Sequence, residues 1–139
     1  MTAKKLEHDI QNEIRNSLAG QCHLFRANVG TGWTGDIKKL PNGDLLIKNP
    51  RPFTTGLPKG FSDTFGWVSV KITPDMLGKT FARFIAGEVK TPKGKPRPEQ
   101  EKFLAAVNRN GGVADIWRST DDANRSLAKA HGVVLEGDV

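Results

Sequence analysis

Residues Gly87 to Gln100 read G-E-V-K-T-P-K-G-K-P-R-P-E-Q, and this stretch decides the fold. The apolar run F-A-R-F-I-A, Phe81 to Ala86, leads into it. Together they predict a central strand over Phe81 to Val89. Alternate residues of a strand share a face, so Glu88 and Lys90 project together and Val89 turns away. The connector T-P-K-G-K-P-R-P is too rich in proline to continue as a helix. A helix then starts at Arg97-Pro98-Glu99-Gln100, with Pro98 in its first turn and Glu99 and Glu101 complementing the dipole. Phe103, Leu104 and Val107 form its core stripe, and Gly111-Gly112 ends it. Val113 to Trp117, V-A-D-I-W, reads as a further strand. Ser119 or Thr120 caps a last helix through about Ala130, with Asp121 and Asp122 in its first turn. The tail H-G-V-V-L-E-G-D-V adds an edge strand or stays loose.

Working back toward the N-terminus, residues 4–19 predict an amphipathic helix. Leu6, Ile10, Ile14 and Leu18 recur every fourth residue as one stripe. Glu7 falls on that stripe, between Ile14 and Leu18, while Glu13 lies at its margin. A carboxylate within an apolar stripe is costly unless it is paired or bound to a cation, and a rim salt bridge is the plainer reading. Gly20 is placed to end the helix. Residues 22–28, C-H-L-F-R-A-N, read as a strand in which Cys22 is a small core residue and His23 is structural or exposed. The run G-T-G-W-T-G is a glycine-rich bend without the G-K-[ST] ending of a phosphate-binding loop. Pro41-Asn42-Gly43-Asp44 is a turn signal followed by L-L-I, which predicts a small hairpin. Residues 49–60, N-P-R-P-F-T-T-G-L-P-K-G, read as an ordered loop.

Phe61 to Ile72 is β-prone, with Asp63 at its start, and Thr73-Pro74-Asp75 breaks it. Neighbouring strands lie about 5 Å apart, so strands bearing acids at their ends can set Asp63 beside Glu88. Two carboxylates flanked by Lys90 form a set suited to a hard cation and to phosphate chemistry. Two surface acids at strand ends is the structural alternative.

The element order, helix, three or four strands, helix, strand, helix, predicts an α/β fold, a mixed β-sheet flanked by helices. A length of 139 residues fits one domain, with its core at about 4–131. A net charge of +6 and a pI near 9.7 favour polyanion partners. Bases outnumber acids between Arg26 and Lys71, where only Asp36, Asp44 and Asp63 are acidic. Lys90, Lys93, Lys95 and Arg97 form a second basic group. A lone cysteine excludes an internal disulfide framework and a cysteine-rich zinc site. With no apolar run long enough to span a membrane and no secretion signal, a cytoplasmic setting is expected.

The residues quoted also carry a resemblance. Glu7-x-x-Ile10-Gln11, Arg26-x-Asn28-x-Gly30, Gly60-Phe61-Ser62-Asp63, Gly87-Glu88-Val89-Lys90 and Pro98-Glu99-Gln100 together look like the VRR-NUC nucleases, a branch of the PD-(D/E)xK or restriction-endonuclease-like superfamily. The likeness spans roughly Glu7 to Ser119, and the E-V-K-T-P-x-G-x-x-x-x-E-Q block is its most specific part. Ser62 departs from it, where the family usually has proline. The small size is similar to stand-alone phage and bacterial members.

The resemblance implies a restriction-endonuclease-like core and a metal-dependent endonuclease that hydrolyses DNA, structure-selective for branched or Holliday-junction-like substrates. It implies Mg²⁺ or Mn²⁺ held by Asp63, Glu88 and the Val89 carbonyl, with Glu7 reaching in from the first helix. Lys90 would orient the nucleophile or stabilise the transition state, and Gln100 would orient Lys90 or a phosphate oxygen. Lys59, Lys93, Lys95, Arg97 and Arg26 would contact the nucleic acid. A homodimer is the implied assembly. A nuclease-like DNA-binding subunit that no longer cuts is the alternative.

Overall fold

The computed structural model describes residues 6–132, so the tail beyond Gly132 and the first five residues lie outside the described residues. The order is α1 (Glu7–Leu18), β1 (His23–Arg26), β2 (Thr31–Lys39), β3 (Leu45–Thr54), β4 (Thr64–Trp67), a short 3-10 turn at Pro74–Met76, β5 (Ile85–Val89), α2 (Pro98–Arg109), β6 (Val113–Trp117) and α3 (Thr120–Ala130). The fold is mixed α/β. The strands pair two by two, β1 with β4, β2 with β3, and β5 with β6. These three ladders stand where the sequence predicts one mixed sheet. The chain divides into two compact units, Met1–Trp67 and Val68–Val139.

In the first unit α1 forms as expected, and Gly20 follows it at φ +83°. Its apolar stripe is present but not buried. Ile10 and Ile14 stay 44% and 48% exposed, and Glu7 is exposed too. The expected burial of Glu7 within that stripe is therefore corrected. β1 and β4 pair antiparallel, with His23 opposite Trp67 and Phe25 opposite Phe65. Their rings hold the ladder. His23 stacks on Trp67 at 4.7 Å, and Phe25 lies 5.6 Å from Phe65 and 5.4 Å from Trp67. His23 is thus structural, and Cys22 is only half-buried.

The β2–β3 hairpin is much longer than the sequence suggests. Most of the glycine-rich bend, residues 31–35, and the proline-rich stretch 49–54 are strand. Its turn is local chemistry: Leu40 N–H donates to the Asp44 carbonyl at 2.8 Å, Asp44 N–H donates to Asn42 Oδ1 at 3.0 Å, and Gly43 takes φ +92°. The register runs Trp33 to Pro52 and Ile37 to Ile47, with a shift between Thr34 and Asp36. Asn49 and Pro50 there oppose Gly35 alone, which is a β-bulge. Asn49 supplies the required left-handed turn at φ +51°. A two-stranded ribbon has only edges, which is where a strand tolerates Pro50 and Pro52.

In the second unit β5 and β6 run parallel, joined by α2 as a βαβ crossover. The core here comprises Val107, Val113, Ala114 and Ser126. Gln100 of α2 reaches Glu88, whereas Ser126 of α3 bonds the Trp117 indole. Glu88 and Trp117 project from opposite faces of the ladder, so α2 covers one face and α3 the other. Asn108 pairs with both backbone groups of Ala114, donating at 2.8 Å and accepting at 2.9 Å. Arg83 donates to the carbonyls of Gly111, Lys129 and Ala130, which closes the ends of both helices. The central strand starts at Ile85, not Phe81, and the strand from Phe61 shrinks to Thr64–Trp67. The pairing partners are short, and a strand extends only as far as its ladder does.

Candidate functional site

Glu88 and Lys90 share a face at the C-terminal end of β5, as strand alternation requires. Lys90 Nζ lies 3.4 Å from Glu88 Oε1 with both side chains largely shielded, 20% exposed for the lysine and 29% for the glutamate. The first turn of α2 completes the cluster. Gln100 Nε2 donates to Glu88 Oε1 at 2.7 Å, and its Oε1 accepts from the Arg97 backbone N–H at 2.8 Å. Gln100 therefore caps the helix and orients the carboxylate with the two ends of one amide. The resemblance implies Lys90 or a phosphate oxygen as its partner, whereas here it bonds Glu88. Both contacts converge on Glu88 Oε1.

Backbone bonding fixes a second oxygen. Val113 N–H donates to the Phe84 carbonyl, and Lys90 N–H donates to the Trp117 carbonyl. Alternation along a parallel ladder then aims residues 84, 86, 88 and 90 at β6 and turns the Val89 carbonyl to the other edge. Val89 itself is 74% exposed.

The connector after Lys90 is pinned by Arg118, which the sequence reading missed. One guanidinium nitrogen donates to the carbonyls of Thr91 at 2.6 Å and Gly94 at 2.7 Å, and Gly94 N–H turns back to Thr91. This holds the T-P-K-G turn, with Lys93, Lys95 and Arg97 exposed along it. The only sequence signal is an arginine between a strand and a capping serine. Arg118→Ala is expected to raise amide exchange across residues 91–95 by about tenfold or more, since it removes charge-assisted bonds worth on the order of 1–2 kcal/mol in total. Hydrogen exchange read by mass spectrometry checks this, and unchanged protection would refute the pinning role.

The remaining candidates belong to the first unit. Asp63 is exposed just before β4, and its carbonyl accepts from Ala27 N–H at 2.9 Å. Arg26 ends β1 opposite Thr64, so Asp63 and Arg26 occupy one end of that ladder. The Ser62 hydroxyl donates to the Thr64 carbonyl at 2.7 Å, which makes a local turn. Lys59 is exposed in the preceding loop, and Glu7 opens α1. The structure thus brings together Glu88, Lys90 and Gln100 in one unit, and Asp63 and Arg26 in the other.

Among the described residues no group of three or more His, Cys, Asp or Glu side chains gathers as a metal cage. No protein-family model, curated protein or solved structure matches this chain. Among the described residues no helix is long and apolar enough to cross a membrane.

Proposed function

We propose that this chain is a metal-dependent endonuclease that hydrolyses DNA phosphodiester bonds, with a restriction-endonuclease-like core and selectivity for branched DNA. One observation carries the reading: Glu88, Lys90 and Gln100 converge at the end of β5, within 3.4 Å and 2.7 Å contacts on one carboxylate oxygen. Oxygen donors suit a hard divalent cation. Glu88 and the edge-facing Val89 carbonyl would hold Mg²⁺ or Mn²⁺, and Asp63 and Glu7 of the first unit are further carboxylates that the resemblance implies for it. When bound, such an ion supplies charge neutralisation at the phosphate and a more acidic water.

The chain's own residues do the rest. Lys90 is a shielded ammonium held against Glu88, and it stabilises negative charge developing on the phosphate or holds the attacking water. Gln100 fixes the carboxylate so that Lys90 and the phosphate meet one geometry. Lys93, Lys95 and Arg97 line the pinned turn beside Lys90, and Lys59 and Arg26 are the basic contacts of the first unit. Recognition of DNA shape over sequence belongs to the same proposal. Two-fold assembly as a homodimer suits paired cuts on a junction.

The test is cleavage of labelled linear duplex, single strand, flap and four-way junction, each with Mg²⁺, Mn²⁺ or EDTA. Cutting is expected only with metal, and fastest on a branched substrate. Salt-sensitive binding without cutting of any substrate would overturn the enzyme reading in favour of a non-catalytic DNA-binding subunit.

A further inference from the structure

The β2–β3 ribbon has two chemically different faces. Alternation along β2 puts Trp33, Ile37 and Lys39 on one face, with Pro52, Ile47 and Leu45 opposite them on β3. The other face carries Lys38, Lys48 and Arg51, together with Thr34, Leu46, Phe53 and one acid, Asp36. The bulge at Asn49 and Pro50 produces this sorting. Without the extra residue, Arg51 and Lys48 would fall on opposite faces, because a one-residue slip inverts every side chain beyond it. The lone acid is engaged: Asn49 Nδ2 donates to Asp36 Oδ2 at 3.2 Å. Lys38, Lys48 and Arg51 are exposed, and among the described residues no ion pair holds them.

We infer that this basic face is a second nucleic-acid contact surface, which lies along the phosphate backbone of duplex DNA. The occupant follows from charge complementarity. Three unpaired cations fixed on one side of a twisted ribbon match a polymer that carries a charge about every 1.7 Å of its axis. A two-stranded ribbon is also an element of the size that DNA grooves accept. Arg51 rims the shallow hollow of the bulge with Gly35, Asp36, Asn49 and Pro50. Phosphate contacts of this kind position the duplex and carry no sequence information. The inference rests on the reading of the chain as a DNA-acting protein, and it adds a grip separate from the residues assigned to chemistry.

The experiment uses the full chain and a fluorescent duplex in Ca²⁺, with affinity measured from about 50 to about 200 mM salt. The variant Lys38→Gln/Lys48→Gln/Arg51→Gln is compared with wild type and with Lys102→Gln, an exposed lysine of α2. Circular dichroism confirms that each is folded, and Lys48→Gln/Arg51→Gln serves if the triple variant is not. The slope of log affinity against log salt is expected to flatten by about 0.9 for each phosphate contact removed, with affinity at the lowest salt down about tenfold or more. Turnover at saturating DNA with Mg²⁺ stays within about twofold, because the chemistry residues are intact. An unchanged slope in the variant, beside a wild type that binds and cuts, would overturn the ribbon inference alone. An equal loss in Lys102→Gln would also overturn it, as a generic charge effect. A wild type that neither binds nor cuts overturns the functional reading and this inference together.

Discussion

Lys90→Ala is expected to lower the rate of DNA cleavage at saturating substrate by about 10²–10³-fold, or about 2.7–4 kcal/mol of transition-state stabilisation. The size follows from where the ammonium sits. It is 20% exposed and held 3.4 Å from Glu88 Oε1, so it is preorganised and needs little rearrangement when charge develops on the phosphate. Its loss leaves Glu88 still bonded to Gln100 at 2.7 Å, so the carboxylate keeps its orientation and the chain keeps its fold. DNA affinity in Ca²⁺ should then stay within about threefold, since one shielded lysine adds little to a surface of exposed bases. Lys90→Arg should not restore the rate, because a planar fork cannot occupy the position of a compact ammonium. Single-turnover cleavage with parallel binding measurements separates the two effects. Equal losses in rate and affinity would make Lys90 a phosphate anchor only, and an unaffected rate would remove it from the mechanism.

The second unit was legible in the sequence because its signals are local. Val113 to Trp117 and the Ser119-capped helix through Ala130 follow from an apolar run, a glycine pair and a capping serine with two acids behind it. The shared face of Glu88 and Lys90 follows from strand alternation alone. The hairpin was not legible, because its composition argues for loops. Glycine at 32 and 35 and proline at 50 and 52 are poor strand formers in isolation. Only the cross-strand register, with its bulge at Asn49, makes them compatible with a ladder. Helix α1 shows the converse: its periodicity correctly predicts the helix but says nothing of what covers its stripe. Arg118 escaped notice for a third reason. Its partners are carbonyls more than twenty residues away in sequence, and backbone acceptors have no residue identity to read.

The glycine before Glu88 leads to the second large effect. A Cβ on Gly87 would stand 2.1–2.3 Å from three atoms of the Trp117 ring, far inside van der Waals contact. The indole cannot simply swing aside. Its Nε1–H donates to the Ser126 hydroxyl at 2.9 Å, and that hydroxyl donates to Asp115 Oδ2 at 2.6 Å. Ser126 is 2% exposed, so moving the ring would take the indole N–H from its buried partner. Gly87→Ala is therefore expected to cost about 1–3 kcal/mol as an overpacked site, and to lower Tm by several degrees. Because Gly87 adjoins Glu88 on β5, a strand displaced to relieve the clash also shifts the carboxylate from Gln100, and cleavage should fall with stability. Trp117→Leu supplies the decisive comparison. It removes the ring that the new methyl strikes, so Gly87→Ala should be markedly less costly in the Trp117→Leu background than in wild type, a coupling of about 1 kcal/mol or more. Thermal and urea unfolding of the four chains measure it. Additive losses would mean that the indole lying over Gly87 is not what sets the cost of the added methyl.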